Sequence, residues 1–478
     1  MSFKLGMGRV RIDEICRLCG VEAVIYGNDD VFVSGIDTDS RNIGPEDIFV
    51  AVKGERYDGA DFASSAVLSG ATCVISTRPP EKAEELGRSF AYIESADPVE
   101  TLSVLARNYK QSRSIKTVAV TGSVGKTTTK EMIASVLATR YNVGKTAGNL
   151  NTDIGLSLTV LGFDASVDTA VLEMGMSGLG EIERLSLIAR PDYGVITNIG
   201  TSHIEYLKTR ENIAKAKTEI VAGMSDDGVL VVLGDEPLLR PIREQHKNTV
   251  SVAIYSNDAE YRAENIVNKD LHTEFDLVHG NVRIAGIKLP VIGLHHVYGA
   301  LFACAIGERF GLTEEELRRG LSEFKNAAMR QSITDVCGIT VIDASYNASP
   351  ESMRASLSVL CEIADAKNAR KFALLGDMCE LGDETRPQHE KLGEFAAKLN
   401  LDGLITFGIA SVCTADSAQK NGMAADKIIS EINPSAAEEC ARKLSAVLKK
   451  GDVLLVKASR AMAAEKVIAY LKEHGVRN

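Results

Sequence analysis

The stretch Thr121-Gly122-Ser123-Val124-Gly125-Lys126-Thr127-Thr128 decides the fold of the central part of the chain. An apolar, β-branched run from Ile115 to Thr121 leads into it, and the helix-like run KTTTKEMIASVLATRY leads out of it. Glycines allow the backbone to turn tightly, so that several N–H groups can point at phosphate oxygens. The following helix adds the partial positive charge of its N-terminus. The order strand, glycine loop, helix therefore predicts a phosphate-binding loop within a mainly parallel α/β sheet.

The side chains of this loop carry the groups that a nucleotide site needs. Lys126 can reach the outer phosphates, and the Thr127 hydroxyl can bind Mg²⁺. The spacing GSVGKT is two residues shorter than the common G-x-x-x-x-G-K-T loop, and a glycine turn that only caps a helix is the alternative interpretation. Because strand, turn, lysine, threonine and helix occur together, we predict nucleotide binding. The predicted contacts of the loop with the nucleotide are Gly122, Ser123, Val124, Gly125, Lys126, Thr127 and Thr128.

Composition and charge limit the classes of function. The chain has 478 residues, a formal net charge of −11, only 5% aromatic residues and no Trp. A surface of this charge repels nucleic-acid backbones, and few aromatic side chains are available for base stacking. The sequence therefore predicts no nucleic-acid partner, although one local basic site could still hold a nucleotide.

The start of the chain and its cysteines indicate a cellular location. The segment MSFKLGMGRVRIDE lacks the apolar core of a secretory signal, and no run approaches the roughly 18 apolar residues of a membrane span. Nine cysteines without framework spacing indicate reduced thiols and a cytoplasmic protein. Cys16 and Cys19 form a lone C-x-x-C pair, which favours helix packing over metal binding because zinc sites need four ligands.

Three blocks of alternating strand-like and helix-like segments predict an α/β protein of three domains. Residues 1–112 form a small mixed α/β N-terminal domain. Residues 113–327 form a central P-loop ATPase-type domain with a mainly parallel sheet, whose strands include TAVLEMG, YGVITNIG, GVLVVLG and TVSVAIYS. Residues 328–478 form a Rossmann-like, doubly wound C-terminal domain with the strands TVIDA, KFALLGD, LDGLITFG and DVLLVKAS.

Further acidic, His and Lys residues follow predicted strands, where the ligand sites of α/β proteins lie. Glu173 ends the apolar run AVL, and a carboxylate there can hold a metal that bridges phosphates. His203 follows the predicted strand in VITNIGTS. Because it is expected beside Glu173 and the phosphate loop in the same sheet, a ligand role is favoured over a structural one. Lys215 and Lys217 lie on the next helix, where an exposed helix face is the ordinary interpretation. The spacing alone selects neither lysine.

With these residues in hand, the chain resembles the Mur ligase family of peptidoglycan synthesis, nearly from end to end. The resemblance rests on Asp39-Ser40-Arg41 with DIFVAVKGERYDGADF, on TGSVGKTTTK, AGNLNTDIG, LEMGM and TNIGTSHIEYLKTRENIAKAKTEI, and on SYNASPESM, LLGDMCELG with the later His389, and VKASRAM. The GDMxELG and YNAxP stretches point to the member that adds a dipeptide. The resemblance implies addition of D-alanyl-D-alanine to a UDP-N-acetylmuramoyl-tripeptide.

The resemblance also implies a mechanism. Family members use ATP to phosphorylate a substrate carboxylate, and an amine then attacks the acyl phosphate. By resemblance, Lys126 is the lysine of the phosphate loop, Thr127 and Glu173 are ligands of a first Mg²⁺, and His203 is a ligand of a second. Lys217, the second lysine of AKAK, matches the lysine that family members carry as a carbamate. The implied catalytic residues are therefore Lys126, His203 and Lys217, with Thr127, Glu173, His203 and Lys217 around the metal ions.

Other positions are assigned by resemblance to nucleotide or substrate. For the nucleotide they are His295, Arg330, Asp343, Tyr346 and Asn347. For the substrates they are Ser40 and Arg41 in the UDP-sugar segment, Asn149 and Asn151 after the first central helix, and Lys457, Ser459 and Arg460 near the end. A strand-end acid, a packed Tyr and a turn Asn are equally good interpretations of Asp343, Tyr346 and Asn347.

The chain departs from the family pattern at several positions. His296 and Gly299 stand where asparagines near the adenine are usual, which puts the base contacts in question. Thr152, Ser349 and Ala344 replace two asparagines and an aspartate, and Ala458 replaces a glycine. The residues assigned to phosphate and metal are unchanged, and these departures are interpreted as those of a divergent but working ligase.

Two other functions stay open from the sequence. A nucleotide-dependent switch would share the loop, but the chain has no N-K-x-D stretch of the spacing that reads guanine. A related amide ligase acting on folate or another glutamyl acceptor would share the loop and metal ligands, but the first block resembles a UDP-sugar segment. A monomer is expected. The sequence does not distinguish lysine from diaminopimelate as the third residue of the tripeptide.

Overall fold

The first part of the chain forms a small mixed sheet, as predicted. The structure is a computed structural model, and it describes residues 2–269 and 271–476. In spatial order the strands of the first sheet are Phe3–Lys4, Gly35–Asp37, Asp47–Val50, Cys73–Ser76, Phe90–Glu94 and Val24–Tyr26. The inner strands are parallel and the two edge strands are antiparallel to their neighbours. A separate two-stranded ribbon pairs Val10–Arg11 with Phe32–Val33.

The central sheet is parallel over most of its width. In spatial order its strands are Val143–Lys145, Thr169–Glu173, Lys116–Thr121, Tyr193–Ile196, Val229–Leu233, Thr249–Ala253, Tyr261–Lys269, His272–His279 and Val282–Leu289. The four predicted strands after the phosphate loop are all present. The last three strands, however, form an antiparallel meander that the sequence analysis did not predict. Its middle strand alternates buried and half-buried residues, which is the usual pattern of a sheet with one solvated face.

The C-terminal sheet is doubly wound, as predicted. In spatial order its strands are Ser332–Val336, Ile339–Asp343, Val453–Lys457, Lys371–Gly376, Gly403–Phe407 and Ile428–Glu431. Only the first pair is antiparallel. The three sheets follow one another along the chain within the three predicted blocks. The block boundaries themselves stay a prediction, and Met1 and residues 477–478 lie outside the described residues.

Helices cover the faces of the sheets. The α-helices are Ile12–Cys19, Ala63–Ser69, Pro98–Ser112, Lys126–Leu137, Asp153–Leu161, Glu181–Ala189, Ile204–Leu207, Arg210–Thr218, Arg240–Gln245, Leu294–Arg309, Glu314–Ser322, Pro350–Lys367, Thr385–Ala397, Ser411–Lys420, Ala437–Val447 and Glu465–His474. Short 3₁₀ helices are Gly59–Phe62, Ala83–Leu86, Glu219–Gly223, Pro237–Leu239, Gly382–Glu384, Ala425–Lys427 and Arg460–Met462.

The helix Pro98–Ser112 joins the first sheet to the central one. Asp97 caps it by accepting hydrogen bonds from the backbone N–H groups of Val99 and Glu100. Its buried face belongs to one apolar core that runs through both sheets. The C-terminal sheet has separate cores on its two faces. The first two blocks are therefore packed as one body, whereas the third packs largely on itself.

The cysteines and helices agree with the simpler interpretations of the sequence. The structure describes all nine cysteines, and each is free. Cys16 and Cys19 lie on the helix Ile12–Cys19, where burial raises the pKa of both thiols, that of Cys19 to about 12. Helix packing thus accounts for the C-x-x-C pair. Among the helices of residues 2–269 and 271–476, none combines the length and apolarity needed to cross a membrane.

Replacement of Leu105 by Ala should destabilise the shared core of the first two blocks. Leu105 is fully buried on the joining helix. Loss of its side chain should cost about 2–5 kcal/mol, because apolar contacts are lost and a cavity remains. Leu68→Ala, at an exposed position on the helix Ala63–Ser69, is the matched control. Thermal unfolding should show a lower midpoint for Leu105→Ala only, and equal midpoints for the two variants would contradict the packing.

Candidate functional site

The phosphate loop connects the strand Lys116–Thr121 to the helix Lys126–Leu137. Gly122 has a φ of 150° and Gly125 a φ of 81°, conformations that side chains rarely adopt. A Cβ atom at Gly122 would lie 1.8 Å from the hydroxyl oxygen of Thr197. The glycine is therefore required by both its backbone conformation and its contact with the neighbouring strand end.

The segment that follows the neighbouring strand Tyr193–Ile196 holds the loop in place through hydrogen bonds. The backbone N–H of Val124 donates to Oδ1 of Asn198 at 3.0 Å, and the Thr197 hydroxyl donates to the carbonyl oxygen of Val124 at 2.7 Å. The Gly200 N–H donates to the Ser123 hydroxyl at 2.8 Å. Thr197 and Asn198 were not predicted as site residues. The TNIG stretch after a predicted strand was the signal that could have identified them.

Lys126 folds over this loop. Its Nζ donates to the carbonyl oxygens of Gly122 at 2.9 Å and Ser123 at 3.3 Å. Burial lowers the pKa of Lys126, and the nearby Glu173 opposes that shift. Backbone carbonyls hold the ammonium group at the mouth of the loop, where a bound phosphate can attract it more strongly than they do.

Glu173 sits at the end of the adjacent strand and contacts two other predicted residues. Its Oε2 accepts the Thr127 hydroxyl at 2.6 Å, and its Oε1 accepts the side-chain amide of Asn151 at 2.9 Å. The buried ammonium of Lys130 lies 4.0 Å from the same Oε2 and donates to the carbonyl oxygen of Thr146 at 2.6 Å. The carboxylate is thus buried but fully surrounded by polar partners, and Lys130 is a member of the cluster that the sequence analysis did not single out.

The helix Arg210–Thr218 distinguishes the two lysines that spacing could not separate. Lys217 is buried and Lys215 is exposed. Burial lowers the pKa of Lys217 well below its ordinary value, and the positive charge of Lys126 lowers it further. Among the described residues, no hydrogen bond or ion pair holds the Lys217 ammonium. The neutral amine is therefore the favoured form at this position.

His203 lies where the central block meets the C-terminal block. Its backbone is left-handed, with φ 63°, and the short helix Ile204–Leu207 follows it. Its Nδ1 lies 2.6 Å from Oε2 of Glu380. Nearby, Oε1 of Glu351 accepts the backbone N–H of Thr201 at 3.1 Å and its hydroxyl at 3.0 Å. Two carboxylates of the C-terminal block therefore contact the segment that contains His203.

One cavity of about 740 Å³ joins these groups. Most predicted residues line it: Ser123, Val124, Gly125, Lys126, Thr128, Asn149, Asn151, Glu173, His203, His295, Arg330, Tyr346, Asn347 and Lys457. Thr127 is not among the lining residues, but its hydroxyl donates to Glu173, which is. The C-terminal block closes the cavity, with the Arg330 guanidinium 4.0 Å from the centre of the Tyr346 ring. Lys457 donates to the Asn347 carbonyl oxygen at 2.9 Å, and burial, with the nearby Arg330, lowers the pKa of Lys457 to about 7.

Eight predicted residues do not line this cavity. Gly122, Thr127 and Lys217 lie in the central block as described above, and five others lie elsewhere. Arg41 is exposed and forms an ion pair with Asp39 at 2.6 Å. Ser40 precedes it in the chain, just after the first-sheet strand Gly35–Asp37. Ser459 accepts the backbone N–H of Cys379 at 2.9 Å, Arg460 pairs with Glu465 at 3.1 Å, and Asp343 accepts the Ser345 hydroxyl at 2.6 Å. Their assignments to substrate or nucleotide stay predictions.

Four of the six departures from the family pattern have local explanations, and nothing in the structure explains Ala344 and Ala458. A Cβ at Gly299 would lie 2.9 Å from the sulfur of Met132, so the thioether occupies the space that an Asn side chain would need. His296 is buried, and its ring centre lies 4.1 Å from that of His295 with the two rings tilted by 41°. Its Nε2 lies 3.4 Å from the Gln331 amide nitrogen. Thr152 and Ser349 act as helix N-caps. Thr152, His296, Gly299 and Ser349 all line the cavity.

Comparisons with known proteins agree with this geometry. Three family models match in order: "Mur ligase family, catalytic domain" over residues 32–110, "Mur ligase middle domain" over 120–307, and "Mur ligase, glutamate ligase domain" over 329–460. The UDP-N-acetylmuramoyl-tripeptide–D-alanyl-D-alanine ligase of Bacillus subtilis (strain 168) is 37% identical, over 92% of this chain and 93% of that protein.

Solved structures show the same likeness. A crystal structure of MurF from Acinetobacter baumannii superposes with a TM-score of 0.87 at 29% identity, covering 98% of this chain and 100% of that one. The MurF ligase of Thermotoga maritima in complex with ADP superposes with a TM-score of 0.80 at 31% identity, covering 92% and 97%. Because matches of this quality extend over the sheets, the phosphate loop and the C-terminal block together, the chain belongs to the Mur ligase family.

Proposed function

We propose that this ATP-dependent amide ligase joins D-alanyl-D-alanine to a UDP-N-acetylmuramoyl-tripeptide in peptidoglycan precursor synthesis, and that it releases ADP and phosphate. The main support for the proposal is the cavity. It is lined by Lys126, Glu173 and His203 of the central block and by Arg330 and Lys457 of the C-terminal block. Relatives that bear this activity in their names match the chain over nearly its whole length.

The chemistry requires an activated carboxylate. A carboxylate is a poor electrophile, because its oxygen would have to leave as oxide. In the first step a carboxylate oxygen of the tripeptide attacks the γ-phosphorus of ATP, and the bond to ADP breaks. In the second step the dipeptide amine attacks the acyl carbon, inorganic phosphate departs with that oxygen, and the nitrogen loses a proton. The protein must align three reactants and neutralise charge.

The residues of the cavity are suited to those tasks. Thr197 and Asn198 hold the loop at Val124. The N–H groups in the first turn of the helix Lys126–Leu137 are the ones assigned to the β- and γ-phosphates. Lys126 exchanges its carbonyl partners for phosphate oxygens and so neutralises charge on the transferred group. Arg330 and Lys457 approach from the opposite wall and shield the site from water when the C-terminal block closes.

The polar residues fit Mg²⁺, provided that substrate supplies part of the coordination. Among the described residues, no group of three or more acidic, His or Cys side chains could hold a metal alone. Mg²⁺ is usually bound through one or two carboxylates together with phosphates and water. Thr127 and Glu173 offer such oxygens, 2.6 Å apart, beside the loop. When bound, Mg²⁺ would withdraw charge from the phosphates, and Thr127, Glu173, His203 and Lys217 are the residues proposed to hold two ions.

Lys217 fits this role only in a modified form. An ammonium group would repel Mg²⁺, whereas a carbamate is an oxygen ligand with a negative charge. The neutral amine attacks CO₂, a C–N bond forms, and one proton is released. Burial of Lys217 favours that neutral amine, as its lowered pKa indicates. We therefore propose that Lys217, and not the exposed Lys215, carries a carbamate.

The remaining assignments follow the proposed reaction. The purine end of ATP is assigned to the wall that contains His295 and His296, and Arg330 with Tyr346, Asn347 and Asp343 to its closure by the C-terminal block. Asn149 and Asn151 are assigned to the tripeptide side, Ser40 and Arg41 to the UDP-sugar, and Lys457, Ser459 and Arg460 to the side where the dipeptide enters. The protein is proposed to act as a monomer in the cytoplasm.

Oxygen tracing tests the proposed function directly. Purified protein is incubated with ATP, D-alanyl-D-alanine and UDP-N-acetylmuramoyl-tripeptide whose terminal carboxylate is labelled with ¹⁸O. One labelled oxygen should appear in the released phosphate, because it bridges carbon and phosphorus before the amine attacks. Phosphate release without dipeptide would favour a nucleotide switch, and release that requires a folate acceptor would favour the related ligase. Unlabelled phosphate would contradict the acyl-phosphate route.

Replacement of Lys126 by Ala should abolish turnover. The γ-phosphate loses its cationic partner, and the loss should exceed about 100-fold in kcat if the ammonium stabilises the transferred group. The matched control is Lys116→Ala, which removes an exposed lysine at the start of the strand that leads into the loop. Steady-state phosphate release measures both variants. A near-normal rate for Lys126→Ala would show that its contacts with the loop carbonyls are only structural.

Replacement of Lys217 by Ala should be rescued in part by short carboxylic acids. Formate or acetate can enter the space that the side chain leaves and supply the missing oxygen ligand. Lys215→Ala is the control, because it removes an exposed lysine on the same helix. The expected result is loss of activity and acid-dependent recovery for Lys217→Ala alone. Full activity without added acid, or rescue of the Lys215 variant instead, would refute the assignment of the carbamate to Lys217.

A further inference from the structure

The loop after the C-terminal strand Lys371–Gly376 contacts His203 across the block boundary. Glu380, in the stretch GDMCELG, has a left-handed backbone with φ 62°, and its carbonyl oxygen accepts the Glu205 N–H at 3.4 Å. The backbone therefore aims the Glu380 side chain at His203, and the two atoms Oε2 and Nδ1 lie 2.6 Å apart. From the sequence this stretch is only a family signature, and Glu380 has no assigned role.

The orientation of the two groups defines the state of this contact. An ionised carboxylate such as that of Glu380 offers acceptor oxygens only. Nδ1 of His203 is buried and, among the described residues, has no other polar partner, nor a hydrogen bond of regular geometry to Glu380. The contact is thus close but not aligned, as is common at sites that tighten only when substrate binds.

The chemistry of imidazole fixes what this contact does. In a neutral imidazole one nitrogen carries the proton and the other a lone pair. A carboxylate at 2.6 Å from Nδ1 requires the proton to be on Nδ1. In the neutral ring Nε2 then holds the lone pair, and it can bind a cation or accept a hydrogen bond but cannot donate one to a phosphate.

We propose that Glu380 is a positioning residue that selects the Nδ1–H tautomer of His203 and so makes Nε2 a ligand for a cation. The assignment of that cation to the Mg²⁺–nucleotide complex rests on the proposed function, whereas the tautomer does not. Because Glu380 belongs to the C-terminal block and His203 to the central one, the ligand is oriented only when the two blocks meet.

The competing interpretation is that Glu380 only holds the two blocks together. Glu351 is the control for this interpretation. Glu351 also reaches from the C-terminal block to the same segment, where it accepts two hydrogen bonds from Thr201. A carboxylate face packs on Gly200, whose hypothetical Cβ would lie 3.0 Å from the carboxyl carbon of Glu351. Glu351 therefore holds the segment without touching the imidazole. If Glu380 were only a clamp, both carboxylates would affect His203 in the same way.

The tautomer can be measured without turnover. The full chain is labelled with ¹⁵N-histidine, and long-range ¹H–¹⁵N correlation spectra are recorded alone and with saturating ADP and Mg²⁺. The eight histidines give separate patterns, and the His203 signals are those that disappear in His203→Gln. The variants are Glu380→Ala, Glu380→Gln, which keeps an acceptor oxygen, and Glu351→Gln as the control. Thermal unfolding verifies that each variant is folded.

The expected result is an Nδ1–H pattern for His203 in the natural chain, in Glu380→Gln and in Glu351→Gln, and a shift to Nε2–H in Glu380→Ala. Glu380→Ala should also lower kcat by about 10- to 100-fold, the usual effect of losing the group that orients a metal-binding His, with partial recovery in Glu380→Gln. An Nε2–H pattern in the natural chain in both conditions, or an unchanged Nδ1–H pattern in Glu380→Ala, would overturn the proposal. Either result would leave the oxygen-tracing test of the proposed function unaffected.

Discussion

The parallel register of three neighbouring strands is the constraint on which the site depends. Glu173 pairs with Val120, and Ile196 pairs with Thr121, so the strands Thr169–Glu173, Lys116–Thr121 and Tyr193–Ile196 end at one level. The phosphate loop, the carboxylate of Glu173 and the segment that leads to His203 therefore leave the sheet side by side. The Thr127–Glu173 hydrogen bond closes this arrangement by tying the first turn of the loop helix to the adjacent strand end.

This constraint explains why much of the site could be predicted from the sequence. A glycine loop between a β-branched strand and a helix is a local signal, and strand-end residues of a parallel sheet share one edge whatever the order of the strands. Glu173 and His203 could therefore be placed beside Lys126 before their distances were known. Lys215 and Lys217 could not be distinguished in this way, because the choice depends on which face of their helix is buried.

Contacts between blocks were beyond the reach of the sequence pattern. Glu380 and Glu351 approach His203 and Thr201 from a part of the chain about 150 or more residues away, and nothing in their local sequence specifies that approach. The meander Tyr261–Leu289 was missed for a different reason. Its strands carry many charged residues on the solvated face, so they lack the continuous apolar runs by which the parallel strands were recognised.

The division of the buried cores has a consequence for how the site works. The first two blocks share one apolar core, whereas the third has its own cores. Its contacts with the His203 segment combine the polar contacts of Glu351 and Glu380 with apolar packing of Ile204. The polar part of such an interface can open and close at low cost, because water replaces the lost hydrogen bonds. A carboxylate contact such as Glu380–His203 is then a suitable means of linking closure to chemistry. It links the two blocks and acts on an imidazole at the wall of the cavity to which the phosphates are assigned. Closure would thus orient the site's ligands and exclude water in a single movement, which protects an acyl phosphate from hydrolysis before the amine arrives.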